Sequence, residues 1–290
     1  MKYLIVFIIA TFSITASIDE ASAFPPRLGI DLSTVLKIRD QARKVKYVAR
    51  EPAVANLRTI KTIVIDPGHG GENEGALGVA DIREKYLTME LAFTLRDAIQ
   101  EKYPTVRVIM TRYWDREISL SERARIANFR DADLLLSLHY NAATHNRALG
   151  FETYFLKSNW VKPKKKVDND TKIAGDQNGA MLKTLIDLKR QRRHKHAGKF
   201  ARAIQKGLQG ELDSIDRGVK QENFTVLKGA RMPAIVVEAG FLTHTKEGIE
   251  VAEQAHRDKV VKAILIGVEN FDDARTKTGN AKSRKKGKKN

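Results

Sequence analysis

Residues Lys61 to Gly71 read KTIVIDPGHGG, and no other stretch limits the fold of this chain as strongly. Thr62, Ile63, Val64 and Ile65 are β-branched and mostly apolar, which favours a buried strand. Pro67, Gly68 and the two glycines after His69 remove side-chain bulk where the backbone must bend closely around something. The stretch therefore reads as strand, sharp turn and outward-reaching histidine. Its ordinary alternative is a hairpin turn with an incidental histidine.

Two later stretches repeat the arrangement. Ala132 to His139, ADLLLSLH, is an apolar strand that delivers His139 near its end, followed by Tyr140 and Asn141. Ala234 to Val237, AIVV, delivers Glu238 ahead of Ala-Gly-Phe. Between the first two lie a helix from about Arg83 to Tyr103, a strand at Val106 to Thr111, and a helix opened by the capping box Ser119-Leu120-Ser121-Glu122. Leu87, Leu91, Leu95, Ala98 and Ile99 give the first helix its apolar stripe. Gly150 to Leu156 reads as another strand, residues 197–208 as a helix, and residues 249–270 as the last helix. Strands alternating with helices predict one α/β domain, a mixed and largely parallel twisted sheet with helices on both faces. In such sheets ligands bind at the carboxyl edge of the strands.

The ends of the chain differ in composition from the middle. Lys2, the apolar run YLIVFIIATFSITA and Ala21-Ser22-Ala23 have the layout of a secretory signal peptide over residues 1–23, cleaved near Ala23. This points to the periplasm or to secretion to the cell wall. Residues 24–60 read as a basic helical arm, 61–272 as the catalytic domain with a polar, basic insertion over about 159–196, and 273–290 as an irregular basic tail. From Arg275 onward that tail holds eight basic residues and no acidic one. The formal charge is +17, and loss of the leader, with Lys2 against Asp19 and Glu20, makes it +18. A chain so basic seeks polyanions: anionic envelope polymers or lipid headgroups through the tail. A nucleic-acid partner is not expected, because no recognition motif accompanies the charge. With no cysteine, disulfides, thiolate metal sites and a cysteine nucleophile are excluded.

His69, His139 and a carboxylate at the start of the first helix, Glu84, form the kind of three-ligand set that holds catalytic zinc and leaves a position for water. The spacings differ from a single-helix H-E-x-x-H motif, so these groups must converge through the fold. Zinc would acidify its water and polarise a carbonyl. Glu238 would carry the proton from water to a leaving amine. Glu84 has its own ordinary reading, compensation of the helix dipole. Glu238 is harder to explain away, since charged residues are seldom buried unless paired or coordinating. His145, His194, His196, His244 and His256 read as surface residues, with His244 the one placed to support the site.

Taken together, IDPGHGG, the segment REKYLTMELA, TRYWDREISLSERARIAN, SLHYNA and RGVKQENFTVLKGARMPAIVVEAGFLTH resemble the zinc-dependent N-acetylmuramoyl-L-alanine amidases of the amidase type 3 family. The resemblance implies a secreted hydrolase that cleaves peptidoglycan between N-acetylmuramic acid and L-alanine, with one Zn2+ per chain. It implies His69, Glu84 and His139 as metal ligands and Glu238 as the catalytic glutamate; Asn141, two residues past His139, is a candidate substrate contact. Tyr140 stands where family members often carry a small residue, and would narrow the groove. Members that act in cell division carry an inserted helix that blocks the zinc until an activator protein binds; residues 159–196 fall at a similar place. The competing reading is a non-catalytic envelope-binding module of the same fold.

Overall fold

The computed structural model describes residues 56–160 and 177–286; the expected leader, nearly all of the expected arm and the start of the insertion lie outside the described residues. What is described belongs to a unit that begins at Ala53. In chain order it runs β1 (Thr62–Pro67), α1 (Glu84–Lys102), β2 (Arg107–Met110), α2 (Leu120–Phe129), β3 (Leu134–Asn141), β4 (Phe151–Leu156), α3 (Gln177–Glu211), β5 (Asp216–Glu222), α4 (Thr225–Lys228), β6 (Ala234–Phe241), α5 (Glu247–Glu250) and α6 (Gln254–Lys286). The strands make one sheet ordered β2-β1-β3-β6-β4-β5. Every neighbouring pair is parallel except β4 against β6. This is the mixed, largely parallel sheet that the alternation of elements predicts.

Both faces of β1 are buried, and its side chains divide between two cores. Ile63 and Ile65 pack with Leu87, Leu91, Leu95 and Ile99 of α1 and with Phe200 and Ile204 of α3. Val64 points the other way, toward Ala127 of α2 and Val226 and Leu227 of α4. A strand covered by helices on both sides needs a continuous apolar run, which is why TIVI carries no alternation. The helix α2 opens on Ser119, whose hydroxyl accepts from the Glu122 amide, as the capping box predicts.

Several elements differ from the sequence-based expectation. His139 and Glu238 lie inside β3 and β6, not at their ends, and are register partners of each other. Pairing between the strands carries the ladder past both residues. The polar strand β5 has no apolar periodicity because it is a half-exposed edge, covered by a neighbour on one side only. The helix of the insertion and the helix over residues 197–208 are one element, the 35-residue α3, since KRQRRHKHAGK holds no proline and the single Gly198 is not enough to break a helix. Likewise α6 runs on through Lys286, past Asp273 where an irregular tail is expected. Ala, Lys and Arg make up most of that stretch and are good helix formers, and they outweigh Thr276, Thr278, Gly279, Asn280 and Ser283.

The turn that leaves β1 is fixed from below. Asp66 is fully buried, pairs with Arg123 Nη1 at 2.8 Å, and accepts from Thr111 Oγ1 at 2.6 Å and Ser137 Oγ at 2.7 Å. Removing this carboxylate leaves a buried guanidinium without its counter-charge, which costs about 3–5 kcal/mol. Asp66→Ala should lose stability on that scale in equilibrium urea unfolding. A loss below about 1 kcal/mol would show that Arg123 is balanced in some other way.

Candidate metal centre

β1 hands its chain to a turn in which the carbonyls of Pro67, Gly68 and His69 accept from two buried arginines. Arg123 donates to Pro67 O at 2.7 Å and His69 O at 2.7 Å. Arg112 donates to Gly68 O at 2.7 Å, Pro67 O at 3.1 Å and Lys85 O at 2.9 Å. His69 sits at φ 59°, a left-handed conformation uncommon for a residue with a side chain, and Gly70 and Gly71 continue at φ 121° and 64°. A side chain at Gly70 would strike Arg116 O at 2.3 Å, so glycine is required there. The turn is thus a strained loop held by a rigid cationic floor, the setting in which a ligand is fixed in advance.

Glu84 begins α1 and is 3% exposed, lying between the two histidines. Its Oε2 is 3.0 Å from His69 Nε2 and its Oε1 is 3.0 Å from His139 Nδ1. Backbone amides hold the same carboxylate in place: Ala76 N donates to Oε2 at 2.9 Å and Tyr140 N to Oε1 at 3.1 Å. Burial pushes its pKa up, but hydrogen bonds from His139 and His69 outweigh this and leave it well below the usual carboxylate range. His69 is oriented from behind by Asn73, whose Oδ1 lies 2.8 Å from Nδ1. That contact assigns the proton to Nδ1 and turns Nε2 inward.

These residues fit a metal ion. One ligand atom from each of His69, Glu84 and His139 lies within 4.8 Å of the others. Two glycines hollow the space around them. A Cβ at Gly75 would lie 2.7 Å from both Glu84 Oε2 and His69 Cδ2, and one at Gly68 would lie 2.4 Å from the His139 ring. Two imidazoles and one carboxylate suit zinc.

Glu238 faces His139 across the ladder, and Glu152 of β4 faces Glu238 from the other side. The Oε2 atom of Glu238 is sealed from solvent and makes no hydrogen bond. Burial pushes its pKa up to about 7; the cationic character of His139 opposes the rise, and Glu84 and Glu152 add to it. Glu152 has the opposite fate. Burial raises its pKa, but Lys220 and Tyr154 hydrogen-bond it and hold it below the ordinary value. Its partners are Asn141 Nδ2 at 2.6 Å, Tyr154 Oη at 2.7 Å, Arg217 Nε at 3.0 Å and Lys220 Nζ. Neighbouring carboxylates whose environments drive them apart are the usual arrangement for acid–base work.

The structure brings His69, Glu84, His139 and Glu238 together, and it places Asn141 beside them with its amide turned to Glu152. Tyr140 does not narrow the groove: it is 2% exposed and its ring lies in the core. His244 does not support the metal site either; its Nδ1 accepts from the Glu247 amide at the start of α5. Of the histidines read as surface residues only His145 is exposed, while His194 and His256 are half-buried against the Leu156 and Ala239 carbonyls. The described part of the insertion does not cover the centre. Its residues from Ile186 to His196 border Ala132, Asp133 and Pro233, which precede β3 and β6 at the opposite edge of the sheet. Sequence reasoning missed Arg112, Arg123 and Glu152. The two arginines stood inside TRYWDREISLSERARIAN with no signal of their own, whereas Glu152 stood inside GFETYFL, where a charge among apolar strand residues was the available signal.

A mixed α/β sheet with a His-Glu-His cluster and an unpartnered glutamate at its carboxyl edge defines the class of metal-dependent hydrolases. The family model described as N-acetylmuramoyl-L-alanine amidase matches residues 63–270, and the chain belongs to that family. It is 31% identical over 219 residues to N-acetylmuramoyl-L-alanine amidase AmiC of Escherichia coli O6:H1, covering 72% of this chain and 52% of AmiC. This chain therefore spans about half the length of that relative. Against N-acetylmuramoyl-L-alanine amidase AmiA of Escherichia coli K12 it is 26% identical over 80% of this chain and 83% of AmiA. The crystal structure of an N-acetylmuramoyl-L-alanine amidase from Clostridium difficile 630 superimposes with TM-score 0.59 at 28% identity, over 74% of this chain and 98% of that one.

The hollow at Gly75 gives a test of the metal site that leaves every ligand in place. Gly75→Ala adds a methyl against Glu84 and His69 at a backbone φ of 72°. Zinc affinity, measured by competition with a chromogenic chelator, should fall by about 10- to 100-fold, the usual effect of disturbing the groups that orient a ligand. Unchanged affinity would place the ion elsewhere.

Proposed function

We propose that this chain is a zinc-dependent amidase that hydrolyses the bond between N-acetylmuramic acid and L-alanine in peptidoglycan, working in the periplasm or at the cell wall after loss of residues 1–23. One observation supports this most strongly. Glu238, with Oε2 buried and unpartnered, stands in register with His139 beside the His69–Glu84–His139 cluster. A wall-binding module would have no use for an unsatisfied carboxylate at that position, because leaving one costs stability.

The roles of the residues follow from their surroundings. His69, Glu84 and His139 would hold the zinc. Bound there, the ion supplies Lewis acidity, withdrawing electron density from a carbonyl oxygen and making water a better acid. Glu238 takes the proton from the attacking water and passes it to the nitrogen of the departing L-alanine. Its neighbours suit both steps: burial keeps its proton affinity high enough to accept, and ionised Glu152 favours the protonated form. Arg217 and Lys220 hold Glu152 in place, and Asn141 ties it to β3. Asn141 also stands two residues beyond His139 toward the carboxyl end of β3, consistent with its contacting the muramyl-peptide. The basic tail from Arg275 to Asn290 would help keep the enzyme on the anionic envelope, whose polymers and lipids carry the opposite charge.

Incubation with purified peptidoglycan followed by mass spectrometry tests the reading. Free stem peptides beginning in L-alanine should appear, and should vanish on chelation. Glu238→Gln should lower the rate by about 10²–10⁴-fold, the range for loss of a general acid–base group, while zinc content stays near one per chain. Peptides that remain linked to glycan with the zinc-loaded wild-type enzyme would contradict the proposal.

A further inference from the structure

A second concave surface lies at the opposite edge of the sheet. A cavity of about 1160 Å³ opens there, bounded by Thr59, Asp133 and Pro233, which precede β1, β3 and β6. Nine of its lining residues are Lys or Arg and one, Asp133, is acidic; six of the nine come from a single stretch of α3, Lys189 to Lys199. The carboxylates nearby are already engaged, Asp187 by Arg190 Nη1 of the cavity wall at 3.8 Å. Asp133 accepts from the amides of Lys61 and Thr62 at 2.7 and 3.1 Å, and Asp272 accepts from the amides of Arg58 and Thr59 at 2.6 and 2.9 Å. The field this leaves is felt by His196, on the cavity wall. Burial lowers its pKa, and Arg275, Arg192, Lys199 and Lys195 lower it further.

The same helix carries a bare apolar face. Met181, Leu182, Leu185, Ile186 and Leu188 are between 44% and 64% exposed. Met181 and Leu185, and Leu182 and Ile186, are each four residues apart and so share one side of the helix. Ile186 belongs to both features, since it also lines the cationic cavity. Stabilising this helix end takes a partner that supplies apolar matter and anions side by side. A soluble polyanion would neutralise the cations and leave five apolar side chains in water. We propose that the outer part of α3 and the adjoining cavity are a docking surface for an anionic phospholipid bilayer, with phosphates in the cavity and the apolar face among the acyl chains.

The orientation that results is useful. The strands β1, β3 and β6 have six to eight residues, so the two edges of the sheet stand roughly 20–26 Å apart. With one edge on a bilayer, the His69–Glu84–His139 cluster faces away from it. The inference does not depend on the proposed hydrolysis, because docking is read with no substrate present.

The absence of cysteine from the chain makes the test direct. An environment-sensitive fluorophore on Leu185→Cys in the full chain should shift to the blue with vesicles of phosphatidylcholine and phosphatidylglycerol, and not with phosphatidylcholine alone. The same label on Trp114→Cys should not shift. Trp114 is 59% exposed at the other edge, where its neighbour Asp115 accepts from the Gly71 amide. Reversing three exposed cations, with Lys189→Glu, Arg192→Glu and Lys195→Glu together, should weaken vesicle partition at least about tenfold with no change in melting temperature. Removing Lys282 to Asn290 should leave the Leu185 shift in place. The proposal is overturned if the label does not respond, if the reversal changes nothing, if removal of the tail abolishes the shift, or if soluble polyphosphate binds where vesicles do not.

Discussion

The centre depends on two buried guanidinium groups beneath one turn. Arg112 and Arg123 donate to the carbonyls of Pro67, Gly68 and His69, with Thr88 Oγ1 adding a second bond to Gly68 O, so that these inward groups are paired. Two adjacent cations are themselves costly to bury, and Asp66 offsets part of that cost by pairing with Arg123. The result is a turn with no freedom to relax. His69 is kept in a left-handed conformation it would not choose alone, and its ring is aimed at Glu84 before any ion arrives.

From that turn the rest of the site follows by adjacency. β1, β3 and β6 are neighbours in the sheet, so residues near their carboxyl ends come together whatever their separation in sequence. The helix α1 brings Glu84 over the same edge, where amides from Ala76 and Tyr140 fix both oxygens. The row His139, Glu238, Glu152 across β3, β6 and β4 then sets one carboxylate whose pKa burial raises beside another that its hydrogen bonds hold low. Topology supplies the proximity, and the difference in solvation and hydrogen bonding supplies the chemistry.

Much of this was legible in the sequence because the chemistry sits on strongly patterned elements. The apolar runs TIVI, LLLSL and AIVV mark buried strands, and a charged or imidazole residue at the end of such a run has few structural explanations. Glu84 was legible as a ligand only in company with His69 and His139, because by itself a carboxylate at a helix N-terminus is favourable in any protein. Arg112 and Arg123 were not legible as a clamp, since their partners are backbone carbonyls that no side-chain pattern announces. β5 was missed for a related reason: an edge strand with one exposed side carries little apolar signal. The continuity of α3 also escaped, because the change from a buried face after Ala197 to an exposed one before it reads as two elements.

The account rests on one cation held jointly by His69, Glu84 and His139, and anomalous diffraction at the zinc edge from crystals grown with zinc measures this most directly. A single peak about 2.0–2.2 Å from a ring nitrogen of each histidine and from a Glu84 oxygen is the expected result. A peak at other residues, or none in a protein that hydrolyses peptidoglycan, would contradict it.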